Sequence, residues 1–240
     1  MEPYFYPGEE LSLFEEARNW KKYFSSKIGP YIKGNVLEVG AGIGETTPYL
    51  LNKNVKEWTC LEPDARLFSL LAGKKSANKL PANCTLVQGM LDALPAGNRY
   101  DTILYIDVLE HIEDDASEIR SALSRLNDNG HLVIISPAKQ YLYSPFDKII
   151  GHFRRYNKRT LRKAVDEKQA SEVRIFYMEA TGMLLLVLNK FLLRKKYPNS
   201  TVIKIWDRIF IPASRLIDRI LFYSTGKSII GIWKYTKNDK

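Results

Sequence analysis

The stretch Val36-Leu37-Glu38-Val39-Gly40-Ala41-Gly42-Ile43-Gly44-Glu45-Thr46 decides how the rest of the chain is read. It begins in a short apolar strand, Asn35–Val39, and passes through three glycines into a helix read over Glu45–Lys53. Gly40 suits the tight turn, Gly42 lets a ligand approach the backbone, and Gly44 permits close packing of helix on strand. The next strand, Glu57–Leu61, runs into Glu62 and Pro63, which places an acid 18 residues beyond Gly44. A carboxylate there can accept two hydrogen bonds from a ribose diol, so a nucleoside-containing ligand is expected. The G-x-G-x-G spacing departs from the G-x-G-x-x-G of dinucleotide binders. Glu38, inside the strand, would repel a pyrophosphate but suits a ligand carrying an ammonium and a sulfonium.

Working outward, strand-like and helix-like segments alternate. Leu11, Leu13, Phe14, Ala17, Trp20 and Phe24 give residues 9–28 helical spacing. A helix follows over Ala65–Lys75, then a third strand at Thr85–Gln88 and a fourth at Tyr100–Ile106. Another helix lies within Glu113–Leu126, Asn129-Gly130 reads as a turn, and His131–Ser136 as a fifth strand. Such alternation indicates a parallel sheet covered on both faces. After Pro137 come a loop (Lys139–Lys158), a helix (Lys158–Lys168), a strand (Glu172–Tyr177), a helical stretch over 179–223 with a break expected at Pro212, and a last strand at Ser228–Tyr235. The expected fold is α/β: a Rossmann-like, doubly wound, mostly parallel seven-stranded sheet with an N-terminal helix and a helical insertion before the last strand. One domain is expected, with a cofactor-binding half at 1–137, a substrate loop and helix at 138–170, and a cationic insertion or lid at 179–225.

These motifs resemble those of the class I S-adenosylmethionine-dependent methyltransferases. Glu38 to Gly44 is similar to their first motif, with Ala41 and Thr46 beside the glycines. Glu62 and Pro63 fall at their ribose-binding acid, and Val87-Gln88-Gly89-Met90-Leu91 at the segment that flanks adenine. Many relatives carry an acid directly after the glycine matched by Gly89; here Met90 stands there, with Asp92 two residues on. Tyr105-Ile106-Asp107-Val108-Leu109-Glu110-His111-Ile112 resembles the fourth-strand motif, whose backbone, at Asp107, lies near the methionine moiety. The resemblance covers residues 9–170 well and the rest loosely. It implies S-adenosylmethionine as cofactor and S-adenosylhomocysteine as product. Within the family the chain is similar to quinone-biosynthesis-type methyltransferases and to a subgroup associated with envelope-glycan or natural-product assembly.

Methyl transfer is an in-line displacement, so the protein mainly orients nucleophile, methyl carbon and sulfur. An oxygen or nitrogen nucleophile must also lose a proton. Asp107, Glu110 and His111 stand at i, i+3 and i+4 and share a face if helical. Three readings stay open: packing and capping, His111 as general base, or a divalent cation on the three side chains, as the resemblance to the quinone-biosynthesis enzymes implies. The reading carried forward assigns no metal ligand. The second cluster runs from Tyr141 to Asp147 and from Gly151 through His152, Phe153, Arg154 and Arg155 to Tyr156. It is either a loop packing aromatics over the sheet or a lid. In the lid, Arg154 and Arg155 hold an anionic group, His152 or Asp147 handles the proton, and Tyr143 and Tyr156 line the pocket. A Tyr-Ser-x-x-Asp…Gly-His-x-Arg-Arg-Tyr pattern is similar to that of the glycan and natural-product subgroup.

Composition bounds the partners. The 240 residues are 45% hydrophobic and 26% charged, which excludes a disordered chain. Two cysteines support no disulfide framework. The net charge of +9 is unevenly spread: residues 1–150 hold 16 basic and 20 acidic side chains, and 151–240 hold 20 basic and 7 acidic. The N-terminal residues do not read as a secretory signal, and the strongest apolar run, Gly182–Leu188, is cut by Asn189 and Lys190, too short for a span. A cytoplasmic or membrane-peripheral monomer or homodimer is expected. Val202, Ile205, Trp206, Ile209, Leu216, Ile217, Ile220 and Leu221 recur at helical spacing among Lys204, Arg208, Arg215 and Arg219, after Phe191-Leu192-Leu193-Arg194-Lys195-Lys196. These helices cover the sheet, or meet anionic lipid or a lipid-linked substrate. Nucleic acid ranks last, since no RNA- or DNA-binding motif is present. The expected activity is O-methyl transfer to a small-molecule, lipid-linked or glycan-type acceptor. The alternatives are N-methyl transfer, RNA methyl transfer, or cofactor binding without catalysis.

Overall fold

The computed structural model describes residues 5–8, 11–165, 168–188 and 199–237. Its centre is one seven-stranded sheet in the order β3-β2-β1-β4-β5-β7-β6. The strands are β1 (Gly34–Val39), β2 (Val55–Glu62), β3 (Cys84–Gln88), β4 (Tyr100–Ile106), β5 (Leu126–Pro137), β6 (Ala170–Met178) and β7 (Ser228–Tyr235). β1 to β5 pair in parallel; β7 runs antiparallel to both β5 and β6. Alternate side chains of each strand enter opposite cores, as a sheet covered on both faces requires. Leu37, Ile103, Leu132 and Ile134 face one core with Ile119 and Leu161; Val36, Leu104, Val133 and Ile135 face the other with Trp20, Phe24 and Leu71. The expected doubly wound sheet, N-terminal helix and late helical insertion are all present.

The helices are α1 (Leu11–Phe14), α2 (Arg18–Ile28), α3 (Thr47–Leu50), α4 (Ala65–Ser76), α5 (Asp115–Leu123), α6 (Pro145–Ile149), α7 (Lys158–Ala164), α8 (Ala180–Leu188), α9 (Ser200–Ile205) and α10 (Ile211–Ile220). Four differ from the sequence reading. The helix expected over 9–28 breaks at Ala17 (φ −75°, ψ 63°), so α1 turns away from α2 while Phe14 and Trp20 both pack on Trp206. The helix expected over Glu45–Lys53 shrinks to α3, because Leu51 is extended and the Asn54 N–H bonds the Asn52 side chain in a local turn. Within the loop expected over Lys139–Lys158, a short 3-10 turn (Gln140–Leu142) and α6 form; Ser144 and Asp147 cap α6 reciprocally. The helix expected to end at Lys168 ends at Ala164.

Asn129-Gly130 makes no turn between elements. It lies in a bulge of β5, where the pairing partner jumps from Leu126 to His131 while β4 advances from Tyr100 to Thr102. Asn129 takes φ 62°, a conformation asparagine tolerates. Pro212 does not break the helix either. Residues Trp206–Phe210 form a π-turn in which the Ile211 N–H donates to the Trp206 carbonyl. Pro212 then falls at the start of α10, where its missing N–H and fixed φ are tolerated. The run from Phe191 to Lys196 lies outside the described residues.

Three buried carboxylates fix the insertion to α2 and the sheet. Asp207 accepts from the backbone N–H groups of Asn19 and Trp20 (3.1 and 2.8 Å). Asp218 accepts from Tyr23 Oη (2.9 Å) and from the N–H groups of Glu179 and Ala180 (2.8 and 2.9 Å). Glu179 accepts from Trp20 Nε1 and Ser228 Oγ, both at 2.9 Å, and pairs with Lys227 at 3.1 Å.

Candidate active site

The parallel strands end at one edge of the sheet, and the candidate residues gather there, beside the β1 and β4 carboxyl ends where the strand order reverses. Gly40, Gly42 and Gly44 all adopt left-handed backbone, with φ of 65°, 57° and 75°. A Cβ on Gly40 would strike Val108, and one on Gly44 would strike Leu71 of α4, so these two glycines serve packing. A Cβ on Gly42 would meet only Leu11, at 3.6 Å, so this backbone faces the cleft. Ala41 is buried and its N–H bonds Leu61 O at 3.0 Å. A cavity of about 450 Å³, lined among others by Leu11, Ile43, Arg66 and Leu70, lies beside the loop.

Glu38 and Glu62 hold this loop from two sides. Glu38 accepts from Thr46 Oγ1 (2.5 Å), Thr47 Oγ1 (2.6 Å) and Trp58 Nε1 (3.0 Å). Burial pushes its carboxyl up, and those donors oppose the rise. Both Glu38 and the Thr46 hydroxyl are thus engaged within the protein, where they support the turn. Glu62 accepts from the Gly42 N–H (2.7 Å) and the Asp64 N–H (2.9 Å). Each oxygen keeps acceptor capacity for a diol, so the residues fit a ribose. Burial raises its carboxyl too, against those two N–H groups. Pro63 follows directly. Gly89 (φ 140°) leaves β3 and donates its N–H to Glu62 O. Met90 is half exposed and Leu91 is buried, which gives one apolar side chain on the open face where adenine was expected.

The other end of the cleft is built from the β4 exit and the Tyr141–Tyr156 loop. Asp107 ends β4 in a left-handed conformation (φ 52°) with its N–H on Ile135 O. Such backbone outliers cluster at functional sites. Glu110 is fully buried; Ser136 Oγ donates to its Oε2 at 3.0 Å, while Oε1 has no hydrogen-bond partner among the described residues. Burial first, and the Asp107 charge second, push the Glu110 carboxyl well above the usual range. Burial and the neighbouring His152 push the His111 imidazole down to about 3. His111 Nδ1 is buried beside the Gly151 backbone, with no hydrogen bond of good geometry among the described residues, and its ring meets His152 edge-on, with centroids 4.6 Å apart.

His152 is held by Asp147, whose Oδ1 lies 2.9 Å from His152 Nδ1. Asp147 also accepts two bonds from Arg155, from Nε at 2.7 Å and Nη2 at 3.0 Å, and bonds from the Ser144 N–H and Oγ. Burial works against its charge, but His152, Arg155 and Ser144 together hold the Asp147 carboxyl well below the usual range. An ionised Asp147 can only accept, so Nδ1 of His152 carries a proton, and in the neutral ring Nε2 carries the lone pair. His152 Nε2 is 3.8 Å from Glu110 Oε1. Glu110, His111 and His152 therefore converge, with one ligand atom from each within 4.8 Å of the others.

The rest of the expected lid has other duties. Arg154 is tied to Asp115 Oδ2 (2.8 Å) and Glu113 O (2.6 Å). Arg155 is buried on Asp147, so neither guanidinium is aimed at an anionic substrate as expected. Tyr143 Oη donates to His152 O at 2.6 Å. Tyr156 is buried and donates to Asp115 Oδ2 at 2.6 Å, which places it in the core and not on the pocket wall. The sequence reading missed the N-terminal cover. The Tyr6 N–H donates to Asp64 Oδ2 (2.7 Å) and the Tyr6 ring meets His111 at 5.2 Å. Pro7 abuts Gly151 and Leu11 lies nearest Gly42, so residues 5–8 and 11–14 lie over the cleft from the histidines to Gly42. Asp64 was legible as the N-cap of α4, where it accepts from the Leu67 N–H; nothing in the sequence announced Tyr6.

A family model described as a methyltransferase domain matches residues 12–170. Solved structures share the fold at low identity. One is the N-methyltransferase NodS from Bradyrhizobium japonicum WM9 in complex with S-adenosyl-L-homocysteine, at 14% identity and a TM-score of 0.57, with 93% of this chain and 88% of that one covered. A second is an S-adenosylmethionine-dependent methyltransferase from Clostridium acetobutylicum ATCC 824, at 12% and 0.59, with 95% and 96% covered. A third is a chain of the complex between the Haloferax volcanii Trm112 methyltransferase activator and a methyltransferase, at 14% and 0.66, with 96% of each chain covered.

Proposed function

The chain belongs to the methyltransferase domain family and is an S-adenosylmethionine-dependent methyltransferase, and on that premise we propose that it transfers the methyl group to a hydroxyl of a small-molecule, lipid-linked or glycan-type acceptor. The observation that carries this reading is the Asp147–His152 pair, with Nδ1 held at 2.9 Å and Nε2 turned toward Glu110. A hydroxyl nucleophile must shed its proton as the bond to the methyl carbon forms, and a positioned imidazole can take it. Asp147 fixes the tautomer and stabilises the imidazolium that results. Glu110, whose burial favours the protonated form, can donate to the acceptor oxygen or to its neighbour. Gly42 and Glu62 position the nucleoside. The bound cofactor supplies an already activated methyl on sulfonium, so the protein's share is alignment and proton removal.

A second reading keeps the same residues and adds a divalent cation. It is favoured by two buried atoms with no hydrogen-bond partner among the described residues, Glu110 Oε1 and His111 Nδ1, and by the approach of one ligand atom from each of Glu110, His111 and His152 to within 4.8 Å of the others. The donor set then takes His152 from the loop in place of the Asp107 that the motif resemblance implied. One carboxylate and two imidazoles suit zinc or another first-row ion.

Calorimetry with S-adenosylhomocysteine, followed by turnover against a panel of hydroxylated and aminated acceptors, tests the proposal. Binding with O-methylated product supports it. Binding with N-methylated product only would replace it, and binding of NAD in place of S-adenosylhomocysteine would overturn it. Activity that dies with chelator and returns with a divalent ion selects the second reading; chelator-insensitive activity selects the first.

A further inference from the structure

The outward face of the late helical insertion is apolar and cationic at once. From Ser200 to Ile220 the chain is helical throughout, as α9, the π-turn and α10. Its inner side carries Ile203, Trp206, Ile211 and Ser214 into the core. Its only two acids, Asp207 and Asp218, are also turned inward and engaged by α2 and by the start of α8. The outer side shows Ile209, Leu216 and Ile220, each more than half exposed at 60%, 63% and 64%. Phe222, just beyond α10, is 89% exposed, and its φ of 50° is one that bulky residues rarely adopt. Among these side chains stand Arg208 and Arg219, both exposed, and Lys204, which pairs with Glu16 at 3.0 Å. A water-facing helix normally shows polar side chains outward; contiguous exposed apolar surface marks an interaction site.

We propose that this face docks on an anionic lipid surface, lying in the plane of the membrane. Charge decides among occupants. Two copies meeting through the face about a two-fold axis would oppose Arg208 and Arg219 to themselves. RNA would meet aliphatic side chains where it needs stacking planes, since Phe222 is the one exposed ring of this stretch among the described residues. A lipid surface satisfies both features, with aliphatic groups entering the acyl boundary and guanidinium groups meeting anionic headgroups. No helix among the described residues is long and apolar enough to cross a membrane, so the contact is peripheral. The face also adjoins the site: Tyr141 of the loop donates to Met183 Sδ of α8, and α8 packs against α10. A lipid-linked acceptor would thus be presented at the loop that carries His152. That last step rests on the functional reading above, whereas the docking itself does not.

Co-sedimentation of the full chain with vesicles of phosphatidylcholine, and of phosphatidylcholine mixed with phosphatidylglycerol, tests it. The protein should sediment with the mixed vesicles and release as salt is raised. The double variant Arg208→Gln/Arg219→Gln should lose about 25-fold in partition, roughly five-fold per cation. The triple variant Ile209→Ser/Leu216→Ser/Ile220→Ser should lose about ten-fold or more. Both should keep wild-type Tm and S-adenosylhomocysteine affinity, because every changed side chain is exposed. Three results would overturn the proposal: no partition onto mixed vesicles, partition unchanged in both variants, or a dimer in solution that Leu216→Ser dissociates. Salt-sensitive binding to RNA that displaces the vesicles would overturn it equally. None of these outcomes bears on turnover, so failure here leaves the reaction standing.

Discussion

The two ends of the cleft are both built on buried acids, yet they are in opposite states. At the glycine-loop end Glu38 is satisfied by two threonine hydroxyls and an indole N–H, and Glu62 by two backbone N–H groups. At the histidine end Glu110 Oε1 and His111 Nδ1 are buried with no hydrogen-bond partner among the described residues. A satisfied buried acid rigidifies what surrounds it. An unsatisfied one raises the energy of the ligand-free protein and awaits a proton, a cation or a substrate oxygen. The first end is scaffold for a cofactor, and the second is where chemistry remains to be completed.

The comparison can be broken in four places. His152→Ala should lower kcat by about 10² to 10⁴-fold, the range for a lost general base, with S-adenosylhomocysteine affinity moving less than about two-fold. If affinity falls in step with kcat, the two ends are not separate. Glu38→Ala should act oppositely, leaving Trp58 Nε1 buried and unpaired, at a cost of about 3 kcal/mol and about 10 °C in Tm by thermal denaturation. An unchanged Tm would remove Glu38 from the scaffold. Glu62→Ala should weaken S-adenosylhomocysteine by about ten-fold or more in calorimetry. An analogue lacking both ribose hydroxyls should bind wild type and variant alike; if the variant still discriminates, the diol is held elsewhere.

The smallest effect is in pH dependence. Glu110 is raised above 4.5 by burial, so its contribution is full below pH 4.5 and is lost as pH rises through its folded value. His111 is lowered from 6.5 to about 3, so its contribution is full above pH 6.5 and is lost as pH falls toward 3. Glu110→Gln should therefore gain Tm relative to wild type as pH rises from about 4 to 7, and His111→Gln should gain it as pH falls over the same range. Parallel Tm curves for all three proteins would show that neither group is perturbed. A divalent ion that raises the Tm of wild type and not of Glu110→Gln would sharpen the comparison toward the cation.

The sheet was legible because its central strands, such as β1 and β2, are short apolar runs ended by glycine, proline or asparagine, and that pattern reports burial on both faces. The glycine loop was legible because φ above zero at three positions admits few other residues. The loop from Tyr141 to Tyr156 was located but mostly misassigned. Residue types there announce charge and rings, yet not which guanidinium meets which carboxylate. Arg155 on Asp147 and Arg154 on Asp115 are long-range pairings that spacing does not encode. The same holds for Asp207 and Asp218, which look like solvated helix acids until α2 is placed against them. Pro212 misled for a local reason: a π-turn upstream lets the helix continue into a proline at its first turn.

The position of β7 bears on how this protein comes into being. β7 is last in chain order but lies inside the sheet, between β5 and β6, and among the described residues β6 pairs with no other strand. During synthesis β1 to β5 can assemble as they emerge, each beside a strand already made. β6 cannot join until residues 228–235 have left the ribosome, and the loop to be closed then includes the whole helical insertion. Long-range closures of this kind are slow. The apolar end of β6, Ile175 to Met178, and the insertion's inner face therefore wait exposed during translation, the interval in which a chaperone would find the most to hold.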